Sequence, residues 1–444
     1  MFKKILIANR GEIAVRVFRA ARESGVATVA IYSDADEHAL HTRTADEAVH
    51  IGPSAATKSY LNVDAVLEAA KTSGADAVHP GYGFLSERGS FADAVVAAGL
   101  TWVGPSGDAI RQMGDKAQAI AEAKRAGVPT IPGSDGPVTS IDEAVAVASS
   151  TGYPVAIKAA AGGGGRGIRV ANSEAELVEQ IPIAQAEAQA AFGDGSVYLE
   201  RMVQGAKHIE VQVFGDGRNA VHLGERECSV QRRRQKLIEE TPSPLLPDAV
   251  RQAMCASAVA LAEAVNYQGA GTVEFLYEPA TGQYFFIEMN TRIQVEHPIT
   301  EAVTGIDLVA EQLRVAAGQP LSFSQADVQP RGHSIEIRLN AVDPEMQFMP
   351  SPGTLEAFTM PGGPFVRVDS GFVTGDTVSP FYDSLLGKII VWGQTRDEAI
   401  ARMLRALDEM QVEGVKTTAD FLANVLRSPA FVSGEYDTLT LERG

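Results

Sequence analysis

The sequence predicts an α/β protein whose C-terminal half is of the α+β type. Near the N-terminus, short β-like runs alternate with helical patterns at 12–24 and 63–73; the runs are KILIA, ATVAIYS, DAVHPGYG and TWVG. That alternation is typical of a parallel sheet with crossover helices. From Lys207 onward strands dominate, among them HIEVQVFG, GTVEFLYE, YFFIEMN and HSIEIRLN, and a helical pattern follows at 396–410. The C-terminal part is therefore expected to form a mixed or antiparallel sheet.

The size and charge of the chain narrow its function class. With 444 residues and 45% apolar content, the chain can bury about two to four lobes. The formal net charge of −18 disfavours a nucleic-acid or membrane surface, because such an acidic chain repels polyanions. Only two cysteines occur, Cys228 and Cys255, without CxxC spacing, which fits a reducing compartment and buried structural roles. We expect a cytoplasmic protein without a membrane span.

The order of motifs divides the chain into three predicted units. The first strand leads into Asn9-Arg10-Gly11-Glu12, which lacks the GxGxxG spacing of a dinucleotide fold, so the first unit is Rossmann-like in layout only. A helical segment at 114–127 and a Pro- and Gly-rich stretch at 128–137 then indicate a hinge before a second lobe. We predict units at 1–114, at 115–330 with a lid at about 130–203, and at 331–444.

A glycine run at 162–167 joins two predicted strands. A P-loop lies between a strand and a helix and ends in Gly-Lys-Ser/Thr, so this run is not one. Backbone N–H groups of such a glycine hairpin can approach phosphates closely, and Lys158 supplies a cation beside it. The pattern therefore predicts a mobile lid over a nucleotide, with a flexible surface hairpin as the alternative.

The segment 288–296 alternates polar and apolar residues. In an extended strand its polar members share one face; they are Glu288, Asn290, Arg292, Gln294 and Glu296. If 278–282 form a turn, Glu274 lies diagonally across from Glu288 within about 7–8 Å. Two carboxylates and an amide oxygen suit Mg²⁺. A solvated strand face is the alternative interpretation.

Two further patterns are less specific. The run Gln231 to Lys236 places four cations in six residues, which is either a solvated charged stretch or part of an anion site. The strand HSIEIRLN puts Glu336, Arg338 and Asn340 on one face.

Over essentially its whole length the chain resembles the ATP-grasp superfamily, specifically the biotin carboxylases. The resemblance is carried by the motifs KILIANRGEIAVR, HPGYGFLSE, MGDK, IKAAAGGGGRG, CSVQRRRQK, FIEMNTRIQVEHP and RGHSIEIRLNAVDP. It implies an ATP-grasp fold and carboxylation of biotin by bicarbonate, with ATP and Mg²⁺ or Mn²⁺ as cofactors.

The resemblance also implies functional residues. Those at the ATP site would be Lys116, Lys158, Gly164, Gly165, Glu200, Met202, His208, Gln231, Arg234, Glu274, Leu276 and Glu288. Glu274, Glu288 and Asn290 would bind the metal. Lys236, Arg292, Gln294 and the backbone of Val295 would hold bicarbonate. Tyr82, Glu87 and Arg338 would lie at the biotin. Lys236, Arg292, Glu296 and Arg338 would be catalytic, with Glu296 as the general base and Arg338 stabilising the biotin enolate.

The resemblance implies partner proteins. The chain also departs from the family pattern at two positions. The chain has no lysine flanked by methionines that would accept biotin, so we expect a separate biotin carboxyl carrier protein and a carboxyltransferase subunit. Arg16, Arg19, Glu23 and Arg367 match a family dimer contact, which implies a homodimer. Phe365 stands one position later than the phenylalanine of many bacterial members, and Arg234 replaces a frequent histidine.

Two alternatives share part of this pattern. Another ATP-grasp ligase, such as a carbamoyl-phosphate synthetase half or a purine-pathway carboxylase, would have the same lid and metal carboxylates. A silent ATP-binding module would be expected to lose Glu296 or a metal ligand, and the sequence retains them all. The N-terminal ANRGEIA motif, the RIQVEHP run and Arg338 favour biotin. The final carboxyl acceptor, whether acetyl-CoA, propionyl-CoA or pyruvate, is selected by the carboxyltransferase.

Overall fold

A computed structural model describes residues 2–160 and 168–443 of the chain. Its N-terminal part is a parallel five-stranded sheet of order β3-β2-β1-β4-β5 with helices around it. The elements are β1 (Lys4–Ile7), α1 (Gly11–Glu23), β2 (Ala27–Ser33), α2 (Leu40–Thr44), β3 (Glu47–Gly52), α3 (Val63–Ser73), β4 (Ala77–His79), α4 (Gly89–Ala97), β5 (Thr101–Trp102) and α5 (Gly107–Gly114).

Local sequence explains where these elements begin and end. β1 is a nearly continuous apolar run, as expected of a central parallel strand covered on both faces. The Asn62 side chain caps α3 by accepting a hydrogen bond from the N–H of Ala65, and Gly74 ends the helix in the left-handed conformation.

The middle of the chain contains a small antiparallel sheet of order β7-β6-β8, covered by α7 and α8. Its predicted strands on both sides of the glycine run are confirmed, and the run itself lies outside the described residues. The elements of the middle part are α6 (Lys116–Arg125), α7 (Ile141–Thr151), β6 (Val155–Ala159), β7 (Ile168–Ala171), α8 (Glu174–Phe192), β8 (Val197–Arg201), β9 (Lys207–Asp216), β10 (Ala220–Arg232), β11 (Gln235–Thr241), α9 (Asp248–Ala264), β12 (Gln268–Glu278), β13 (Gln283–Asn290), α10 (His297–Thr304) and α11 (Leu308–Ala316).

An antiparallel eight-stranded sheet of order β13-β12-β9-β10-β11-β14-β21-β19 runs through the rest of the molecule. The C-terminal elements are β14 (His333–Asn340), β15 (Val342–Asp343), β16 (Met349–Pro350), β17 (Gly353–Thr354), β18 (Ala357–Thr359), β19 (Val366–Ser370), β20 (Thr377–Val378), β21 (Leu385–Gly393), α12 (Arg396–Glu409), β22 (Gln411–Glu413), α13 (Ala419–Arg427) and α14 (Pro429–Ser433). The sheet draws strands from both sides of residue 330, and the division into three units stays a prediction.

The two faces of this sheet differ between β11 and β21. On one face, Ile238, Ile337 and Ile389 pack beneath α12 and α13 in an apolar core. On the other face, α10 packs over β14 and β21, and the strands present charged side chains. The predicted α/β organisation, parallel at the N-terminus and antiparallel at the C-terminus, is confirmed. Cys228 and Cys255 are buried, and no helix in residues 2–160 and 168–443 is long and apolar enough to cross a membrane.

Candidate active site

A cavity of about 1450 Å³ lies among the N-terminal sheet, the small antiparallel sheet and the charged face of the eight-stranded sheet. Most of the residues that the sequence singles out line it. They are Tyr82, Lys116, Lys158, Met202, His208, Gln231, Arg234, Lys236, Glu274, Leu276, Glu288, Asn290, Arg292, Gln294, Val295 and Arg338.

Lys236, at the start of β11, is the central cation of this cavity. Its Nζ lies 2.6 Å from Glu210 Oε2, 2.8 Å from Glu296 Oε1 and 3.1 Å from Glu274 Oε1. Ligand atoms of His208, Glu210 and Glu274 lie within 4.8 Å of one another, as in a metal site. Because the Lys236 ammonium contacts two of these carboxylates, it supplies the cation that their charges require.

Glu296 is fully buried and lies between two cations. One oxygen accepts from Lys236, and the other accepts from Arg338 Nη2 at 3.0 Å. Burial alone would raise the pKa of Glu296, but Lys236 and Arg338 outweigh burial and hold that pKa well below its ordinary value. Glu296 is therefore an ionised carboxylate, the state that a general base requires.

Arg338 is shared between Glu296 and a second glutamate, which sequence analysis did not select. Its Nε donates to Glu239 Oε1 at 2.7 Å. Burial raises the pKa of Glu239 to about 7, with Arg338 opposing the shift and Glu296 adding to it. One guanidinium thus contacts two carboxyl groups whose pKa values are shifted in opposite directions, as in sites that separate acid and base roles.

Glu274 and Glu288 lie directly opposite each other on β12 and β13. The diagonal placement expected from the sequence is wrong for two reasons: the turn is one residue tighter, with Glu278 paired to Gln283, and a β-bulge between Glu274 and Phe275 shifts the register by one further residue. Asn290 Nδ2 donates to Glu274 Oε1 at 2.9 Å, which brings a side-chain amide to the pair. Burial and the charge of Glu274 raise the pKa of Glu288, a repulsion that a divalent cation would relieve. This oxygen-rich set fits Mg²⁺.

The strand predicted across 288–296 ends at Asn290, so that prediction is wrong for its second half. Residues 291–296 form a loop that ends in a turn at 295–296, and Glu296 precedes the first residue of α10. The polar side chains still converge. Arg292 Nη1 donates to Gln294 Oε1 at 2.8 Å, and Arg292 Nη2 donates to Asn290 Oδ1 at 3.0 Å.

Lys116 on α6 and Lys158 on β6 both approach one carboxylate, Glu200 on β8. Lys158 pairs with Glu200, and Lys116 Nζ lies 3.9 Å from the same carboxylate and donates to Tyr198 Oη at 3.0 Å. Glu200 therefore lies at the predicted ATP site through these contacts, although its own side chain does not line the cavity. The predicted phosphate-covering Gly164 and Gly165 lie outside the described residues.

The basic run forms a tight hairpin between β10 and β11. Gln231 pairs with Lys236 and Arg232 with Gln235, so Arg233 and Arg234 occupy the two turn positions with φ of 49° and 66°. Such positive φ values fit a two-residue hairpin turn, where glycine and asparagine are usual. Gln231, Arg234 and Lys236 line the cavity, which favours the anion-site interpretation of the run over a purely solvated stretch.

Tyr82 lines the cavity together with Arg338, whereas Glu87 lies beside Arg292. The Tyr82 hydroxyl donates to Glu12 Oε1. Glu87 Oε2 lies 3.1 Å from Arg292 Nε, which places Glu87 beside the bicarbonate residues although it does not itself line the cavity.

Three cavity-lining residues, and one buried residue behind them, escaped sequence analysis. Thr438 and Leu439 belong to the C-terminal segment, which returns to the cavity without any recognisable motif. Tyr198 is an ordinary strand residue, and Arg226 is a fully buried arginine whose Nε donates to Glu210 at 2.6 Å. Arg226 stands between Glu225 and Glu227 in β10, so the local sequence carries no signal of its burial.

Three family models match consecutive parts of the chain. They are the biotin carboxylase N-terminal domain at 1–110, the carbamoyl-phosphate synthase L chain ATP-binding domain at 115–324, and the biotin carboxylase C-terminal domain at 336–443. Biotin carboxylase 1 of Bacillus subtilis is 54% identical, with 100% of this chain and 98% of the relative covered. The chain belongs to the biotin carboxylase family. A pyruvate carboxylase subunit of Methanothermobacter thermautotrophicus is 52% identical, with 99% and 89% covered.

Solved structures agree with this membership. The biotin carboxylase domain dimer of the Hydrogenobacter thermophilus 2-oxoglutarate carboxylase, in complex with MgADP, ADP and bicarbonate, has a TM-score of 0.90 at 48% identity, with 100% of this chain and 98% of that chain covered. The Campylobacter jejuni biotin carboxylase–βγ-ATP complex has a TM-score of 0.92 at 46% identity, with 100% and 99% covered. The predicted family, ATP-grasp fold and ligase class are confirmed.

Proposed function

We propose that this biotin carboxylase family member carboxylates biotin with bicarbonate, consuming ATP and giving carboxybiotin, ADP and phosphate. The observation that carries the proposal is Glu296, a fully buried and ionised carboxylate held directly behind Lys236 and Arg338, which both line the large cavity. A carboxylate so placed can remove a proton from an anion that the two cations attract.

The first step is bicarbonate activation. Glu296 takes the bicarbonate proton, the bicarbonate oxygen attacks the γ-phosphorus of ATP, and the bond to ADP breaks to give carboxyphosphate. Lys236, Arg292, Gln294 and the Val295 backbone would orient bicarbonate. Lys116 and Lys158 would hold the nucleotide, with Gly164 and Gly165 over the phosphates. Glu274, Glu288 and Asn290 would hold Mg²⁺ or Mn²⁺, which when bound neutralises phosphate charge.

The second step transfers the carboxyl group. Carboxyphosphate breaks down to CO₂ and phosphate, and phosphate removes the N1 proton of biotin. The enolate nitrogen then attacks CO₂. The ureido group is a very weak acid, so its anion requires a cation, and Arg338 lines the same cavity as Tyr82. Glu87 would reach the biotin from beside Arg292.

Biotin would arrive on a separate carrier protein, and a carboxyltransferase subunit would select the acceptor, for example acetyl-CoA in fatty acid biosynthesis. The relatives include both a biotin carboxylase and part of a pyruvate carboxylase, which supports acceptor selection outside this chain. The acidic composition and two free cysteines support a cytoplasmic location.

The decisive experiment measures ATP hydrolysis by the purified chain with bicarbonate, with and without free biotin. We expect bicarbonate-dependent hydrolysis that biotin stimulates, and carboxybiotin as the product. Stimulation by ammonia or by a purine precursor instead of biotin would assign the chain to another ATP-grasp ligase.

We also propose a homodimer through a charged surface patch beside α1. Arg16, Arg19, Glu23 and Arg367 line a surface cavity of about 320 Å³, and the Arg16 Nη2 lies 2.9 Å from Glu301 Oε1. Phe365 remains 59% exposed next to this region of β19, which offers apolar area to a second copy. Sedimentation should show that Arg19→Glu dissociates the dimer, whereas Arg22→Glu, outside the patch on the same helix, should not.

A further inference from the structure

Lys388 is a buried cation behind the cavity wall. It occupies the middle of β21, directly opposite Arg338 on β14, and it is fully inaccessible to solvent. Its Nζ donates to the carbonyl oxygen of Val295 at 2.8 Å and lies 3.1 Å from Glu12 Oε1. Because a buried ammonium is costly unless it is paired and hydrogen-bonded, these two contacts hold it in place.

Glu12 connects Lys388 to the other end of the cavity. It is buried at the start of α1, within the ANRGEIA motif, and none of the ligand roles uses it. Its Oε1 contacts Lys388 and also accepts from the Tyr82 hydroxyl, so a single oxygen joins these two side chains. Its Oε2 has no hydrogen-bond partner in the part of the chain that the structure describes.

We propose that Glu12 and Lys388 are positioning residues that couple the biotin end of the cavity to the bicarbonate end. The connected groups are the Tyr82 hydroxyl, the Glu12 carboxylate, the Lys388 ammonium and the carbonyl of Val295. That carbonyl belongs to the peptide bond preceding Glu296, so Lys388 anchors the backbone that carries the general base. Biotin contacting Tyr82 would thereby align Glu296. Because Tyr82 and Glu296 have these roles only in biotin carboxylation, the coupling rests on the proposed function.

Asp369 gives Lys388 a second available partner. It lies opposite Lys388 on β19, with Oδ2 at 4.0 Å from Nζ, and Arg367 holds it by two hydrogen bonds. The Lys388 ammonium can therefore bond to Glu12 and Val295 or move toward Asp369. An element with two discrete arrangements is what coupling between two sites requires.

A double-mutant cycle between Tyr82→Phe and Lys388→Met tests the coupling. The measured quantity is the ratio of bicarbonate-dependent ATP hydrolysis at saturating free biotin to that without biotin. We expect each single variant to lose on the order of 10-fold in this ratio, and the double variant to lose no more than either single variant. Independent losses that multiply in the double variant would overturn the coupling, as would full stimulation in Lys388→Met.

Three further variants separate positioning from stability. Lys388→Arg keeps a cation and should restore part of the ratio. Glu240→Gln alters another buried carboxylate, on the opposite face of the same sheet, and should lower stability without changing the ratio. If Lys388→Met does not fold, Glu12→Gln takes its place in the cycle, and full biotin stimulation in that variant would overturn the coupling.

The wild-type protein distinguishes the two proposals. If the wild-type protein shows no bicarbonate-dependent ATP hydrolysis, the proposed function is wrong. If biotin stimulates bicarbonate-dependent hydrolysis but the losses in the double-mutant cycle multiply, the proposed function stands and only the proposed coupling is wrong. Hydrolysis that does not respond to biotin would also contradict the coupling.

Discussion

Two adjacent glutamates on β11 have opposite environments. Glu239 points to the cavity face of the eight-stranded sheet, and Glu240 points to the face beneath α12. Both are fully buried, yet the pKa of Glu239 is raised to about 7 and that of Glu240 is lowered to about 2. Burial acts to raise both, so the difference comes from their partners.

Both carboxylate oxygens of Glu240 accept hydrogen bonds. On the cavity face, by contrast, some buried carboxyl oxygens accept none from the residues that the structure describes. Glu240 accepts from His333, from two nitrogens of Arg396 and from Tyr436. On the cavity face Glu239 Oε2 has no hydrogen-bond partner, and neither oxygen of Glu336 has one, within residues 2–160 and 168–443. One face of the sheet therefore pairs its buried carboxylate fully, and the other leaves buried carboxyl oxygens without hydrogen bonds from the described residues.

The largest expected effect is loss of turnover on the cavity face. Glu296→Ala removes the proposed general base and should lower kcat by on the order of 10⁴-fold, the upper range for acid–base catalysis. ATP binding, measured by calorimetry, should remain nearly intact because no predicted nucleotide contact is removed.

Glu240→Gln is the matched control for this prediction. Glu240 is also a buried carboxylate, but it lies on the face of the sheet that is turned away from the cavity. A folded Glu240→Gln variant should therefore retain turnover. A comparable loss of ATP affinity in Glu296→Ala would show that Glu296 supports the nucleotide site rather than proton removal.

Lys236→Met should give the largest loss of stability. Its ammonium is the shared partner of Glu210, Glu274 and Glu296, and its removal takes one positive charge from a cluster of three buried carboxylates. Removing one partner of a buried ion pair typically lowers the free energy of unfolding by about 3–5 kcal/mol. Urea denaturation followed by circular dichroism measures this free energy of unfolding. An unchanged urea midpoint would mean that water already screens the charges of Lys236 and its three glutamate partners.

The pH dependence of stability should differ in sign between the two glutamates. The folded pKa of Glu240 is depressed, so its stabilisation is present above about pH 4.5 and is lost as the pH falls towards 2. The full effect is about 3 kcal/mol. The folded pKa of Glu239 is raised, so its destabilisation develops as the pH rises from 4.5 through 7.

Denaturation of the two glutamine variants at several pH values checks these signs. Glu240→Gln should be less stable than wild type at pH 7, and this deficit should shrink as the pH falls below 4.5. Glu239→Gln should gain stability relative to wild type as the pH rises through 7. Parallel profiles for both variants would contradict the assignment of the two faces.

Local patterns predicted much of the fold, because strand alternation and helix periodicity depend on neighbouring residues. The alternating run from Glu288 predicted a strand with its polar residues on one face, but the strand ends at Asn290, where the chain turns towards α10. The bulge beside Glu274 has no sequence signal of its own, since it depends on pairing with β13. The return of Thr438 and Leu439 to the cavity and the burial of Arg226 are likewise tertiary properties, which no local pattern contains.

The smallest expected effect concerns Arg234, at the tip of the hairpin that leads into β11. Arg234 lines the cavity with φ of 66°, and the family frequently has histidine there. Arg234→His introduces an imidazole ring that can contact a ribose but removes a permanent charge, so the affinity for ATP should change by less than about 10-fold, or about 1.4 kcal/mol. The bicarbonate KM should not change, because Lys236 holds that end of the hairpin through its carboxylate partners. Steady-state kinetics in both substrates would reveal the distinction, and a shifted bicarbonate KM would place Arg234 among the anion-binding residues.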